Sequence, residues 1–268
     1  MNIPFDKVYV VSLITNKNRQ NHIKYQFNDL GIDFEFIYGT DFQNFTNDAY
    51  DEKIIFPNVD PDIEDKNRFK GSYGCALTHY NAISFAYHLG YNNVLVIEDD
   101  ACFIKDKNKI QQFFDNIPKD ADFITWDIRY FPNVNNSIDI LAYLFNKSSD
   151  QYYIKYNCSS IINLFGGMMY AIMNRKSMKL YLDNQHKNFR SSDRINDFFT
   201  RSNKISKYIA KQCILTDHIN LENNFNIKHT TINNNDWIYH NIYNDITSLN
   251  KEDFYIPNIF EKYSRTTY

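Results

Sequence analysis

Three things are scarce in this chain: paired cysteines, long apolar runs and an excess of basic charge. The four cysteines, Cys75, Cys102, Cys158 and Cys213, have no C-x-x-C spacing. That spacing gives no zinc site or disulfide framework, and it predicts reduced, mostly buried thiols in a cytoplasmic protein. No stretch approaches the roughly 20 apolar residues that a membrane-spanning helix requires. The opening MNIPFDK lacks the charged and apolar regions of a signal peptide. Lys and Arg number 29 against 32 Asp and Glu, a net charge of −3, so no basic stripe is available to line a nucleic-acid groove. Glycine is missing from Val11-Ser12-Leu13-Ile14-Thr15-Asn16, just after the first apolar run. That argues against a nucleotidyltransferase phosphate loop, and the P-loop spacing is also absent. No internal repeat is visible.

What is present is an ordinary core-forming composition, 43% hydrophobic over 268 residues. Aromatics reach 17%, with 21 Tyr and 22 Phe, alongside frequent Asn, Lys and Ile. Two explanations stand: the codon bias of an AT-rich genome, or aromatic faces for stacking sugar rings. Apolar β-branched runs alternate with amphipathic stretches. Strands are expected near residues 8–13, 31–41, 94–97, 122–126 and 168–173, and helices near 18–30, 74–89, 107–116 and 175–183. Gly90 is placed to stop the second of those helices. Such alternation implies right-handed crossovers and a mostly parallel sheet in one large α/β domain. Residues 46–70 and 131–160 read as polar, irregular connections. The expected organisation is one domain over residues 1–220 with an extension, 221–268, packed on it.

The most informative segment is Val94-Leu95-Val96-Ile97-Glu98-Asp99-Asp100. An apolar strand here delivers three adjacent carboxylates to its carboxyl end, where ligands bind in open α/β sheets. Three like charges repel, and a hard cation such as Mn²⁺ or Mg²⁺ would offset that. The plain alternative is a solvated acidic turn.

Upstream stands Gly71-Ser72-Tyr73-Gly74-Cys75-Ala76-Leu77-Thr78-His79. Together with the acidic strand it resembles glycosyltransferase family 25, whose pattern runs Gly-x-x-Gly-Cys-Ala-x-Ser-His, a helix, then Leu-Ile-x-Glu-Asp-Asp. Thr78 keeps the hydroxyl of the usual Ser. Val8-Tyr9-Val10-Val11-Ser12-Leu13, the Arg at position 19, Gly31-Ile32-Asp33-Phe34-Glu35-Phe36 and the segment around Tyr170-Ala171-Ile172 extend the similarity over roughly residues 5–215.

The resemblance implies a GT-A-like fold, with a Rossmann-type sheet holding a nucleotide-sugar. It implies transfer of a hexose, galactose foremost, from a UDP-sugar to a glycan or hydroxylysine-like acceptor. Asp100 is the expected metal ligand, with Glu98 and His218 as further candidates; Glu98 shares its face if the strand continues that far. Asp99 is expected to turn to the ribose or sugar. Ser12, Arg19, Thr40 and Asp41 fall where the family meets the nucleotide, and Arg19 has the alternative of a surface ion pair. His79 is either a donor-site residue or a core histidine with a satisfied ring. Asp193 occupies the place of the catalytic base, with a helix N-cap as its plain alternative. His218 has the alternative of a solvated surface histidine. Two other classes stay open: a sugar nucleotidyltransferase and a catalytically silent carbohydrate-binding relative. A bacterial surface-glycan enzyme, peripheral to the membrane that carries its acceptor, and a viral enzyme in host cytoplasm both suit the sequence.

Overall fold

Strand β1 (Lys7–Leu13) is apolar from Val8 to Val11, and neighbours on both sides bury it. A computed structural model describes residues 1–42, 56, 70–126, 150–156, 170–190, 205–211, 214–217 and 253–255. The expected sites Asp193 and His218 lie outside the described residues. After β1 come α1 (Lys17–Leu30), β2 (Glu35–Gly39), α2 (Lys70–His88) and β3 (Val94–Glu98). Then follow β4 (Ala101–Phe103), α3 (Lys107–Asp115), β5 (Phe123–Thr125) and β6 (Tyr153–Tyr156). β7 (Tyr170–Ile172), α4 (Arg175–Lys187), β8 (Lys207–Ala210) and β9 (Leu215–Asp217) complete the described elements.

The main sheet has the order β2-β1-β3-β7-β5-β8-β6. β1 pairs in parallel with both β2 and β3, and β5 with β8. β7 runs antiparallel to both its neighbours, and β6 antiparallel to β8. The α/β class agrees with the sequence reading, but the sheet is mixed rather than mostly parallel. A short apolar run marks a buried strand without marking its direction, so the reversed β7 left no trace in the pattern. β6 falls inside the stretch expected to be irregular, and β8 was not expected. A second, two-stranded sheet joins β4 to β9.

Side-chain alternation divides β3 between two cores. Leu95 and Ile97 face Ile23, Phe27 and Leu30 of α1 and Ile110, Phe113 and Phe114 of α3. Val94 and Val96 face Ala82, Ile83 and Ala86 of α2 and Met178 and Tyr181 of α4. α1 ends at Gly31, which takes the left-handed conformation at φ 66°. α2 ends as expected before Gly90, at φ 88°, whose successor Tyr91 donates its N–H to the Ala86 carbonyl at 3.0 Å. Gly71 and Gly74 lie inside α2 rather than at a turn. A Cβ on Gly74 would come within 2.7 Å of the Thr40 carbonyl, so the missing side chain lets α2 approach the end of β2.

Candidate active site

The division of β3 continues past its end and separates the acidic triplet. Ile97 faces α1, Glu98 faces α2, and Asp99 returns to the α1 side. The strand stops at Glu98, so the condition for Glu98 and Asp100 to share a strand face is not met.

On the α1 side, Asp99 is only 4% exposed and is held by three donors. Ser12 Oγ donates to its Oδ2 at 2.7 Å and Asn16 Nδ2 at 3.1 Å. Arg19 Nη1 donates to Oδ1 at 3.0 Å and lies 3.7 Å from Asp100 Oδ2. Local sequence explains the arrangement. Asn16 stands at the N-cap of α1, where an Asn usually caps the helix's own N–H groups, but its side chain makes no such bond. It reaches instead to Asp99, whose charge also suits the positive end of the helix. Gln20, one turn into α1, donates to the Leu13 carbonyl at 2.7 Å and sits 3.3 Å from Ser12 Oγ, fixing the hydroxyl that meets Asp99. The carboxylate expected to turn to a ribose or sugar is here engaged by protein donors.

Asp100 is held in place from the next strand onward. Gln26 of α1 is fully buried, and its amide donates to the Ala101 carbonyl at 2.7 Å while accepting from Phe103 N–H at 3.0 Å. One side chain thus substitutes for a neighbouring strand. On the other edge of β4, Ala101 pairs with Asp217 at the end of β9.

On the α2 side, Cys75 Sγ donates to Glu98 Oε1 at 3.0 Å, and His79 Nε2 lies 3.4 Å from the same oxygen. His79 is fully buried, and its Nδ1 is 3.0 Å from the Tyr170 hydroxyl of β7. Burial pushes the Tyr170 phenol well above its ordinary value, so it remains a hydroxyl. The ring of His79 is therefore satisfied at both nitrogens, as a core histidine's would be, yet one partner is the first carboxylate of the triplet.

Ser12 pairs with Tyr38 and Leu13 with Gly39, so Thr40 and Asp41 leave β2 at the same sheet edge as Ser12. Thr40 is exposed and Asp41 half-buried. Ser12, Arg19, Asp99 and Asp100 thus share one cluster and Glu98 and His79 a second on the opposite face, while Thr40 follows β2 at the carboxyl end of the sheet, against Gly74 of α2.

Residues 5–194 match the family model described as glycosyltransferase family 25 (LPS biosynthesis protein). The chain belongs to glycosyltransferase family 25. It is similar to a "Glycosyltransferase 25 family member" of Aedes aegypti, 28% identical over 138 residues, which is 48% of this chain and 22% of the relative. It is also similar to a Haemophilus influenzae protein described as a glycosyltransferase, 33% identical over 93 residues, covering 34% of this chain and 31% of the relative. The chain spans less than a third of the length of either relative. The family 25 segment contains both carboxylate clusters in full, together with the helices that supply their partners.

Asn16, Gln20, Cys75 and Tyr170 belong to these clusters and were not singled out from the sequence. Cys75 had a readable signal: it stands four residues before His79, one helical turn away on the same face. Tyr170 stood out only as part of a family-like strand, and its contact with His79 had no signal because the two are 91 residues apart.

Proposed function

We propose that the protein transfers a hexose, galactose foremost, from a UDP-sugar to a hydroxyl of a glycan or hydroxylysine-like acceptor, on a GT-A-like sheet. The observation that carries this reading is the meeting of Ser12, Arg19, Asp99 and Asp100 at the carboxyl ends of β1 and β3. β2 lies on one side of β1 and β3 on the other, so a switch point of strand order falls between β1 and β3, where open α/β sheets take their ligands.

The donor set bears on the metal. Asp99 is occupied by Ser12, Asn16 and Arg19, and Glu98 faces α2. The triplet therefore offers Asp100 alone to a cation on the α1 side. One carboxylate completed by substrate phosphates and water fits Mg²⁺ or Mn²⁺, which need no all-protein cage. Bound there, such an ion would offset the charge that builds on the departing diphosphate. His218 follows Asp217, whose backbone pairs beside Asp100, so it remains our second candidate ligand. Asp99 fixes the Arg19 guanidinium beside Asp100, so that an arriving diphosphate meets a positioned cation rather than a mobile one. Thr40 and Asp41 follow β2 at the carboxyl end of the sheet and are assigned to the nucleoside. Asp193 remains the proposed base, removing the proton of the acceptor hydroxyl.

The test is UDP release from a panel of UDP-sugars with Mn²⁺, with Mg²⁺ and in EDTA. Turnover with at least one sugar, lost in EDTA and in Asp100→Asn, is the expected result. Full activity in EDTA, or in Asp100→Asn, would overturn the metal assignment. No UDP release with any sugar, despite binding, would identify a silent sugar-binding relative.

A further inference from the structure

We infer that Cys75, His79 and Glu98 form a second metal site, for a thiophilic divalent cation such as Zn²⁺, on the opposite face of β3 from Asp100. Cys75 and His79 are four residues apart on α2 and so present their side chains from one face, one turn apart. Glu98 reaches them from the end of β3. Their three ligand atoms lie within 4.8 Å of one another. The Sγ to Oε1 distance is 3.0 Å and the Nε2 to Oε1 distance 3.4 Å. A tetrahedral zinc ion has bonds of about 2.3 Å to sulfur and about 2.0–2.2 Å to nitrogen and oxygen, which sets neighbouring donors roughly 3.3–3.6 Å apart. The Nε2 to Oε1 separation already meets that requirement, and the Sγ to Oε1 separation must open by about half an ångström, to the roughly 3.5 Å of a sulfur–oxygen pair on zinc.

The chemistry of the donors chooses the ion. Thiolate and imidazole favour zinc over magnesium or manganese, whereas the oxygen donors at Asp100 favour the reverse. Tyr170 supplies the outer partner that a metal-bound histidine needs: with Nε2 on the ion, the ring proton sits on Nδ1 and donates to the phenol oxygen, now 3.0 Å away. Metal uptake releases the Cys75 thiol proton to solvent, so affinity rises with pH. A spacing rule that looks for cysteine pairs passes over this site, because only one of its ligands is a cysteine.

The inference is independent of the transferase reading, since it is measured on resting protein without a UDP-sugar. The full chain would be stripped with chelator, given Zn²⁺, desalted and analysed for metal, and given Co²⁺ in parallel for its spectrum. About one zinc per chain and a thiolate-to-cobalt charge-transfer band are expected, as for a site with a cysteine ligand. Cys75→Ser should abolish the band and lower zinc affinity at least tenfold, and Tyr170→Phe should lower it about tenfold through the lost outer contact. Cys102→Ser should change neither readout. A wild-type protein that retains no zinc and shows no cobalt band overturns the inference, and so does a band that survives in Cys75→Ser. Should Cys75→Ser fail to fold by circular dichroism, Glu98→Gln replaces it and is judged on zinc affinity, which should fall at least tenfold; an unchanged affinity overturns the inference.

Discussion

Asp99 on the α1 side of β3 and Glu98 on the α2 side are adjacent carboxylates with opposite surroundings. Asp99 is enclosed by a guanidinium, an amide and a hydroxyl, and its charge is matched where it sits. Glu98 meets a thiol and an imidazole, groups whose protons can leave. The α1 side is a finished structural joint that holds Arg19 still. The α2 side is a set of donors that a cation could take over. Strand alternation alone separates the two, and it turns a run of like charges into two sites that do not compete.

The largest expected effect comes from breaking the joint. Asp99→Ala leaves Arg19, Ser12 and Asn16 without their shared acceptor, and removal of one member of a buried pair costs about 3–5 kcal/mol. The Arg19 side chain is 22% exposed, which places the expected loss near the lower bound, about 3 kcal/mol, in urea unfolding. Next, Tyr170→Phe removes the outer partner of a fully buried imidazole and should cost about 1–3 kcal/mol by the same measurement. Glu98→Gln keeps an acceptor oxygen for Cys75 and should cost about 1 kcal/mol or less. Equal losses for Asp99→Ala and Glu98→Gln would erase the contrast between the two sides.

The smallest effect sets a baseline at the far edge of the sheet. Hydrogen bonds from Lys155 and then Tyr208 hold the Asp120 carboxyl below its ordinary value. A lowered folded-state value stabilises above the unfolded carboxylate range, and the contribution disappears as pH falls through the folded value. Asp120 is 56% exposed, so solvent screening keeps Asp120→Asn below about 1 kcal/mol at neutral pH. The difference between variant and wild type should vanish in unfolding curves taken in acid.

Much of the α1 side was legible because its signals are local. The run Val8-Tyr9-Val10-Val11 and the run Val94-Leu95-Val96-Ile97 announce buried strands, and each delivers polar residues at its end. Ser12, Arg19 and the triplet could be named from that. Their mutual contacts could not, because Arg19 and Asp99 are 80 residues apart. The same limit hid Gln26, whose buried amide reads from sequence as a surface residue of an amphipathic helix. β4, β6 and β8 escaped because three or four residues are too few to show a period, and only their partners make them strands. On the α2 side the family pattern displayed Cys75 and His79 together, while Glu98 was read with its charged neighbours rather than with the helix that it faces.

β4 is held on one side by Gln26 of α1 and on the other from two places that the ribosome delivers late. Its edge pairs with β9, and Ile104, just beyond it, bridges Phe254. One end of the sheet, β2, β1 and β3 with α1 and α2, is complete in sequence by residue 98. The chain is synthesised from its amino terminus. A nascent chain therefore carries the acidic triplet for more than a hundred residues of synthesis before the strand that follows it has its partner strand, with Gln26 alone ready on the other side. Asp99 and Glu98 find their partners among residues already made, whereas the outer edge of β4 waits for β9, so translation sets the order in which the two flanks of the segment after the triplet are closed.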